Sequence, residues 1–303
     1  MIKKLFGLTL AIILVFSLST CGGSSTQKPI TDDKSTQTST ADQSTTQESE
    51  STSKTTAVTI ENTVLLDQDG LVITAKELVD DSIWGLGVKI LIENNTKENL
   101  GVQCNYLIVN NYMISDLFSS SVAAGKKAND TIYLSSSELE AAGITTISDI
   151  VISFHVYNSD NYDTLFDTDE IEIKTSAYGT VEQPVMDDGK ELYNQDGIRI
   201  VGKYVDENSF WGASFLLFIE NNYGEDIIVQ SDNMSINGFM VTPFFSCTVK
   251  NGRMALSDIA IMSTYLEENN ITSVDDIELV FNIINPDTYQ TIVETDPITF
   301  STK

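Results

Sequence analysis

Shifted by 127 residues, the sequence falls on itself without a gap. Gln68-Asp69-Gly70 meets Gln195-Asp196-Gly197, and Ser82, Trp84 and Gly85 meet Ser209, Trp211 and Gly212. Ile92-Glu93-Asn94-Asn95 meets Ile219-Glu220-Asn221-Asn222, and Asp149-Ile150 meets Asp276-Ile277. About 40 of roughly 112 aligned positions are identical, far above coincidence, so the chain carries a duplication. The period is domain-sized, which implies two tandem globular domains and argues against a solenoid of short repeats. The duplication is also an internal control. A residue required by the fold keeps its character in both copies, whereas one serving a single copy's chemistry need not.

Within each copy the apolar residues alternate. Ile150, Ile152, Phe154 and Val156 are matched by Ile277, Leu279, Phe281 and Ile283, while the interleaved positions are mixed. One constant apolar face at a period of two marks a strand lying over a core. Val88, Ile90 and Ile92, matched by Phe215, Leu217 and Ile219, mark a second. Asn237-Gly238 between apolar segments predicts a type I′ hairpin, because both residues tolerate positive φ, and Asn110-Asn111 is its counterpart. Only 136–142 and 263–269 read as short helices, hydroxyl residues leading into helix formers, and they are placed as crossovers between sheets. The remainder reads as six to eight short strands per copy.

The expected fold class is therefore all-β, with a minor short helix in each of two tandem antiparallel β-sandwich domains. The pattern resembles the immunoglobulin-like domains of uncharacterised surface lipoproteins of Gram-positive type, although the antibody Cys–Trp–Cys arrangement is absent. The expected boundaries are a leader over 1–20, a tether over 21–57, the first sandwich over 58–176, a connector over 177–190 and the second sandwich over 191–303.

The leader expectation rests on Lys3 and Lys4 followed by an apolar run from Leu5 to Leu18. That run is shorter than the ~20 residues a membrane-spanning helix needs. It ends Leu18-Ser19-Thr20-Cys21-Gly22, which resembles the lipobox of bacterial lipoproteins. The family prefers Gly, Ala or Ser where Thr20 stands. The resemblance implies a diacylglyceryl group on the Cys21 sulfur, cleavage before Cys21, a palmitate-bearing anchor in the bilayer and an extracytoplasmic location. Residues 22–56 are Ser, Thr and Gln with scattered charges, too poor in apolar surface to offset the entropy of ordering, so they read as a disordered tether.

The chain has 17 basic and 44 acidic residues, net −27. A field of that sign repels nucleic acid and anionic lipid, making both poor partner candidates, and favours cationic ligands only weakly. The expected partner is a cell-envelope protein or glycan. With Cys21 acylated, Cys104 and Cys247 remain, one per copy, so no disulfide forms within a copy. They read as free thiols, with a bridge between the copies as the alternative. The single histidine, His155, reads as a surface residue and supplies no triad or histidine-based metal cluster. No catalytic residue and no cofactor is expected, apart from a candidate Ca²⁺ site at Asp160, Asp163, Asp167 and Asp169, where acidic residues are dense.

Trp84 and Trp211 stand in matching Ser-x-Trp-Gly settings. The fold alone accounts for such residues as core or edge-capping tryptophans; the functional alternative is a surface aromatic touching carbohydrate or a partner. Leu216 and Phe218 add apolar surface on the second copy opposite its core face, where the first copy has Lys89 and Leu91, and they are candidates for contact with the other domain or a ligand. The expectation is a non-enzymatic binding or spacer module, with carbohydrate or solute binding through surface aromatics as the alternative. An enzyme would need a carboxylate pair in a cleft.

Overall fold

A computed structural model describes residues 58–302. The expected leader, Cys21 and the tether to residue 57 lie outside the described residues. The described residues belong to one compact unit.

The first repeat comprises β1 (Thr63–Gln68), β2 (Leu71–Asp81), β3 (Gly85–Asn94), β4 (Leu100–Val109), β5 (Tyr112–Ile114), β6 (Ser119–Val122) and β7 (Lys127–Tyr133). After these come α1 (Ser136–Ala141), β8 (Asp149–Asn158), β9 (Thr164–Asp167) and β10 (Ile171–Lys174). The second repeat reproduces the series as β11 (Lys190–Gln195), β12 (Ile198–Ser209), β13 (Gly212–Asn221), β14 (Ile227–Ile236), β15 (Phe239–Met240), β16 (Ser246–Val249) and β17 (Arg253–Met262). It ends with α2 (Ser263–Glu268), β18 (Asp276–Ile284), β19 (Thr291–Glu294) and β20 (Ile298–Ser301). Each repeat thus has more strands than the alternation alone suggests, because the shortest ones are too brief to show a period.

In the first repeat β1-β2-β3-β7 make one antiparallel sheet, and β8 and β4 centre the other, with β9 and β10 on β8 and β5 and β6 on β4. In the second repeat β11-β12-β13-β17 face the sheet centred on β14 and β18. These are two tandem immunoglobulin-like antiparallel β-sandwiches. The expected turns are in place: Asn110 and Asn111 (φ 46° and 72°) close β4 onto β5, and Asn237 and Gly238 (φ 50° and 82°) close β14 onto β15. Each helix carries the chain from one sheet to the other.

The constant apolar set points inward. Val88, Ile90, Ile92, Ile150, Ile152, Phe154 and Val156 are buried between the sheets of the first repeat. Phe215, Leu217, Ile219, Ile277, Leu279, Phe281 and Ile283 fill the second. Each such side chain contributes about 1.5–3 kcal/mol by leaving water. The repeated Asn94 and Asn221 are fully buried and close a loop in each copy. The Asn94 amide donates to Glu98 O and Val122 O, and the Asn221 amide to Glu225 O and Val249 O, all at 2.8–2.9 Å.

The two sandwiches are joined edge to edge. β5 pairs with β17 in parallel, Tyr112 opposite Met254 and Met113 opposite Ala255, which fuses one sheet from each repeat into a ten-stranded sheet. Leu216, Phe218, Met254 and Leu256 of the second repeat belong to the apolar cluster of the first. Arg253 reaches across, donating to Asn111 at 2.9 Å and Glu170 at 3.0 Å. The connector is docked as well: Gln183 is bonded to Asn110 and to Ala142 O, and Met186 N–H donates to the Tyr112 hydroxyl at 2.8 Å.

Candidate functional site

Trp84 lies in the loop between β2 and β3, and Trp211 in the matching loop between β12 and β13. Gly85 and Gly212 close these loops at positive φ (77° and 137°). A side chain at Gly212 would start 2.7 Å from the carbonyl oxygen of Ile261, so that turn requires glycine. Asp81 Oδ1 accepts hydrogen bonds from the N–H groups of Ile83 and Trp84 at 2.8 and 2.9 Å. Those two bonds, that from Trp84 the stronger, hold its carboxyl below the usual range.

Trp84 is 63 % exposed and Trp211 54 % exposed, so neither is a core residue. Each walls a groove. The Trp84 groove, about 690 Å³, is lined by Tyr133 at the end of β7, by the following Leu134 and by Leu117, which is fully exposed. The Trp84 and Tyr133 rings lie 6.0 Å apart at 34°. The Trp211 groove, about 300 Å³, runs past Phe244, which is 81 % exposed. Phe210 stands edge-on to Trp211 with ring centroids 5.0 Å apart. The offset of 127 that carries Trp84 to Trp211 also carries Leu117 to Phe244 and Ser119 to Ser246. One groove has therefore been built twice. Its polar lining is hydroxyls and carboxylates, Ser135, Ser136 and Asp130 in the first copy and Ser214, Ser257 and Asp258 in the second.

A third hollow, about 410 Å³, opens between the repeats, lined by Cys104, Asp116 and Glu138 from the first and Cys247 and Ser257 from the second. Ser115 N–H donates to Glu138 Oε2 at 2.5 Å, and Phe118 N–H to Asp116 Oδ1 at 2.9 Å. Burial pushes both carboxyls above their ordinary values against those bonds. Both cysteines are free thiols. Burial raises the Cys104 thiol, assisted by the nearby Asp116 carboxylate, and pushes Cys247 up to about 11. Neither is poised as a nucleophile.

The other sequence candidates fall elsewhere. Leu216 and Phe218 are buried against the first repeat and offer no surface to a ligand. The acidic set is not gathered: Asp160 accepts from Asn99, Asp163 from Asn161, and Asp167 lies 2.6 Å from His155 Nδ1. Among the described residues no three His, Cys, Asp or Glu are grouped to hold a metal ion. Their density in sequence reflects turns, whose carboxylates point to different neighbours. Sequence reading missed Leu117, Phe244, Asp116 and Glu138. The first two carried a signal, an apolar pair followed by serine kept at the same loop position of both copies, Leu117-Phe118-Ser119 and Phe244-Phe245-Ser246. The carboxylates carried none, since they are gathered within the first repeat by the packing of the loop after β5 against α1, where Ser115 N–H bonds to Glu138.

No family model matches the chain, and neither does any curated protein. Among solved structures it is similar to the YadV chaperone, at 13 % identity and a TM-score of 0.23, with 77 % of this chain and 99 % of that chain covered. It is also similar to the Salmonella enterica SafA pilin in complex with the SafB chaperone, at 10 % identity and a TM-score of 0.22, covering 71 % of this chain and 88 % of that one. Scores this low transfer neither partner nor activity.

Proposed function

We propose that the chain is a lipoprotein anchored in the cell membrane by acylated Cys21 and facing outward, whose two sandwiches form a non-enzymatic module for binding a cell-envelope glycan. The observation that carries this reading is the aromatic groove repeated at one position of both copies. An exposed ring beside hydroxyls and carboxylates matches the chemistry of a sugar, which stacks its C–H face on tryptophan and hydrogen-bonds through its edge. No Lys or Arg lines any of the three hollows among the described residues, which disfavours an anionic ligand.

Asp116 and Glu138 are a carboxylate pair in a cleft, the feature an enzyme reading requires. Acid–base catalysis on a glycoside keeps one carboxyl neutral and the other ionised through contrasting surroundings. Here burial raises both, and each carboxylate is committed to a backbone N–H of the loop after β5. That arrangement supports holding a ligand over cleaving one. A spacer reading draws support from the rigid joint between β5 and β17.

The chain's two tryptophans both lie in grooves, so their fluorescence reports directly on occupancy. Envelope oligosaccharides are expected to shift the emission of the full chain, with binding weakened in Trp84→Ala and Trp211→Ala. If a panel of such oligosaccharides leaves the emission unchanged, the chain is a spacer. If the oligosaccharides are cleaved, the non-enzymatic reading is wrong.

A further inference from the structure

We propose that the two tryptophan grooves and the cleft between the repeats form one track for a single linear glycan carrying amino groups. This deepens the glycan-binding reading and rests on it. Ser115 and Asp116 line both the Trp84 groove and the cleft. Ser246 and Ser257 line both the cleft and the Trp211 groove. The three hollows therefore adjoin one another in series, each sharing lining residues with the next.

Aromatic rings stand at the ends of the track, Trp84 with Tyr133 and Trp211 with Phe244. Carboxylates line its whole length, Asp130 and Asp116 in the first groove, Asp116 and Glu138 in the cleft and Asp258 in the second groove, and no Lys or Arg lines any of the three hollows among the described residues. The rings suit the C–H faces of sugars, and the carboxylates suit protonated amines along the same chain. Tyr112–Met113 of β5 and Met254–Ala255 of β17 are paired with each other, so an extended peptide gains no backbone hydrogen bonds from those edges.

The joint makes the track a single site. Tyr112, Leu216, Phe218 and Met254 are buried where the repeats meet, so the two tryptophans are held on one rigid body. A ligand long enough to reach both engages the second groove with its first already bound, and its affinity multiplies without loss to domain motion.

The test is calorimetric binding of β-1,4-linked glucosamine oligomers and their N-acetylated counterparts, from dimer to octamer, to the full chain. The expected result is affinity rising about a hundredfold once an oligomer spans both grooves. Either Trp84→Ala or Trp211→Ala then returns the long oligomer to the affinity of the short one. The amine form binds more tightly than the N-acetylated form, and Asp116→Asn with Glu138→Gln removes that preference while leaving the dependence on length. Affinity independent of length, with each tryptophan variant halving the stoichiometry, overturns the track and leaves two separate grooves. Oligomers that bind without preferring the amine form overturn the assignment of amino groups to the ligand. Failure of every oligomer, alongside binding of a basic peptide, overturns the glycan reading itself.

Discussion

Tyr112 in β5 faces Met254 in β17 across a parallel strand pair, and each contributes to burial that its counterpart in the other copy lacks. Tyr112 is fully buried, whereas its counterpart Phe239 is half-exposed on an open edge. The counterparts of Leu216, Met254 and Leu256 are Lys89, Lys127 and Asn129. The first repeat thus carries charge where the second carries apolar surface, which blocks a further copy from docking there head to tail.

Giving the second repeat the first one's surface should uncouple the sandwiches. Leu216→Lys with Met254→Lys removes apolar contact and buries charge at the joint, a cost of several kcal/mol. Urea unfolding followed separately at Trp84 and Trp211, using single-tryptophan backgrounds, is expected to change from coincident transitions to two. Coincident transitions in the variant would mean the repeats couple by another route.

Asn94→Ala and Asn221→Ala should each destabilise the chain by about 3 kcal/mol, because two backbone carbonyls are left buried without donors. The neighbouring Asn95 and Asn222 are equally repeated but exposed, and their alanine variants should stay within about 0.5 kcal/mol of the parent. Urea midpoints at constant slope separate the two cases. Equal losses at both pairs would contradict the loop-closing role.

Much of this architecture is legible in the sequence, and the reasons are local. Period-two alternation survives in Ile150–Val156 because only one face of that strand meets the core, and Asn237-Gly238 announces its turn because few residues accept positive φ. Trp84 stands out through its repetition, yet its exposure depends on packing that repetition cannot report. The cleft is invisible because its two walls meet only through the pairing of β5 with β17, a long-range pairing with no sequence period. For Leu216 and Phe218 the comparison of the copies left two readings, contact with the other domain or with a ligand, and the packing of the repeats selects the first.

The two cleft thiols should be unreactive in the folded chain. With Cys247 at about 11, only about one molecule in a thousand is thiolate at pH 8, and Cys104 is raised as well. Iodoacetamide labelling read by peptide mass spectrometry is expected to be slow at both positions in buffer and fast in concentrated urea. Rapid native labelling of either would show that the cleft opens to solvent.

Acidification from neutral pH should stabilise the fold through the buried carboxyls of the cleft and of the Trp211 groove. Burial raises Glu138, Asp116 and Asp258 above their unfolded-chain values of 4.5, 3.8 and 3.8. Between those values and the raised native ones, the folded chain binds more protons than the unfolded chain, so stability grows as pH falls through that window. The gain is complete below the unfolded values and is lost as pH rises through the native ones. Asp81, Asp187 and Asp188 act oppositely, being held low by hydrogen bonds, but their stabilisation fades only below about 3.8. Relief of general charge repulsion adds to the acid gain, so a variant must separate the two. Glu138→Gln keeps an acceptor for Ser115 N–H and removes the buried charge. Its Tm is expected to exceed the parent's at neutral pH and to converge with it near pH 4.5, the slope between being shallower. Parallel Tm profiles for the two chains would assign the whole effect to surface repulsion and leave Glu138 without a part in it.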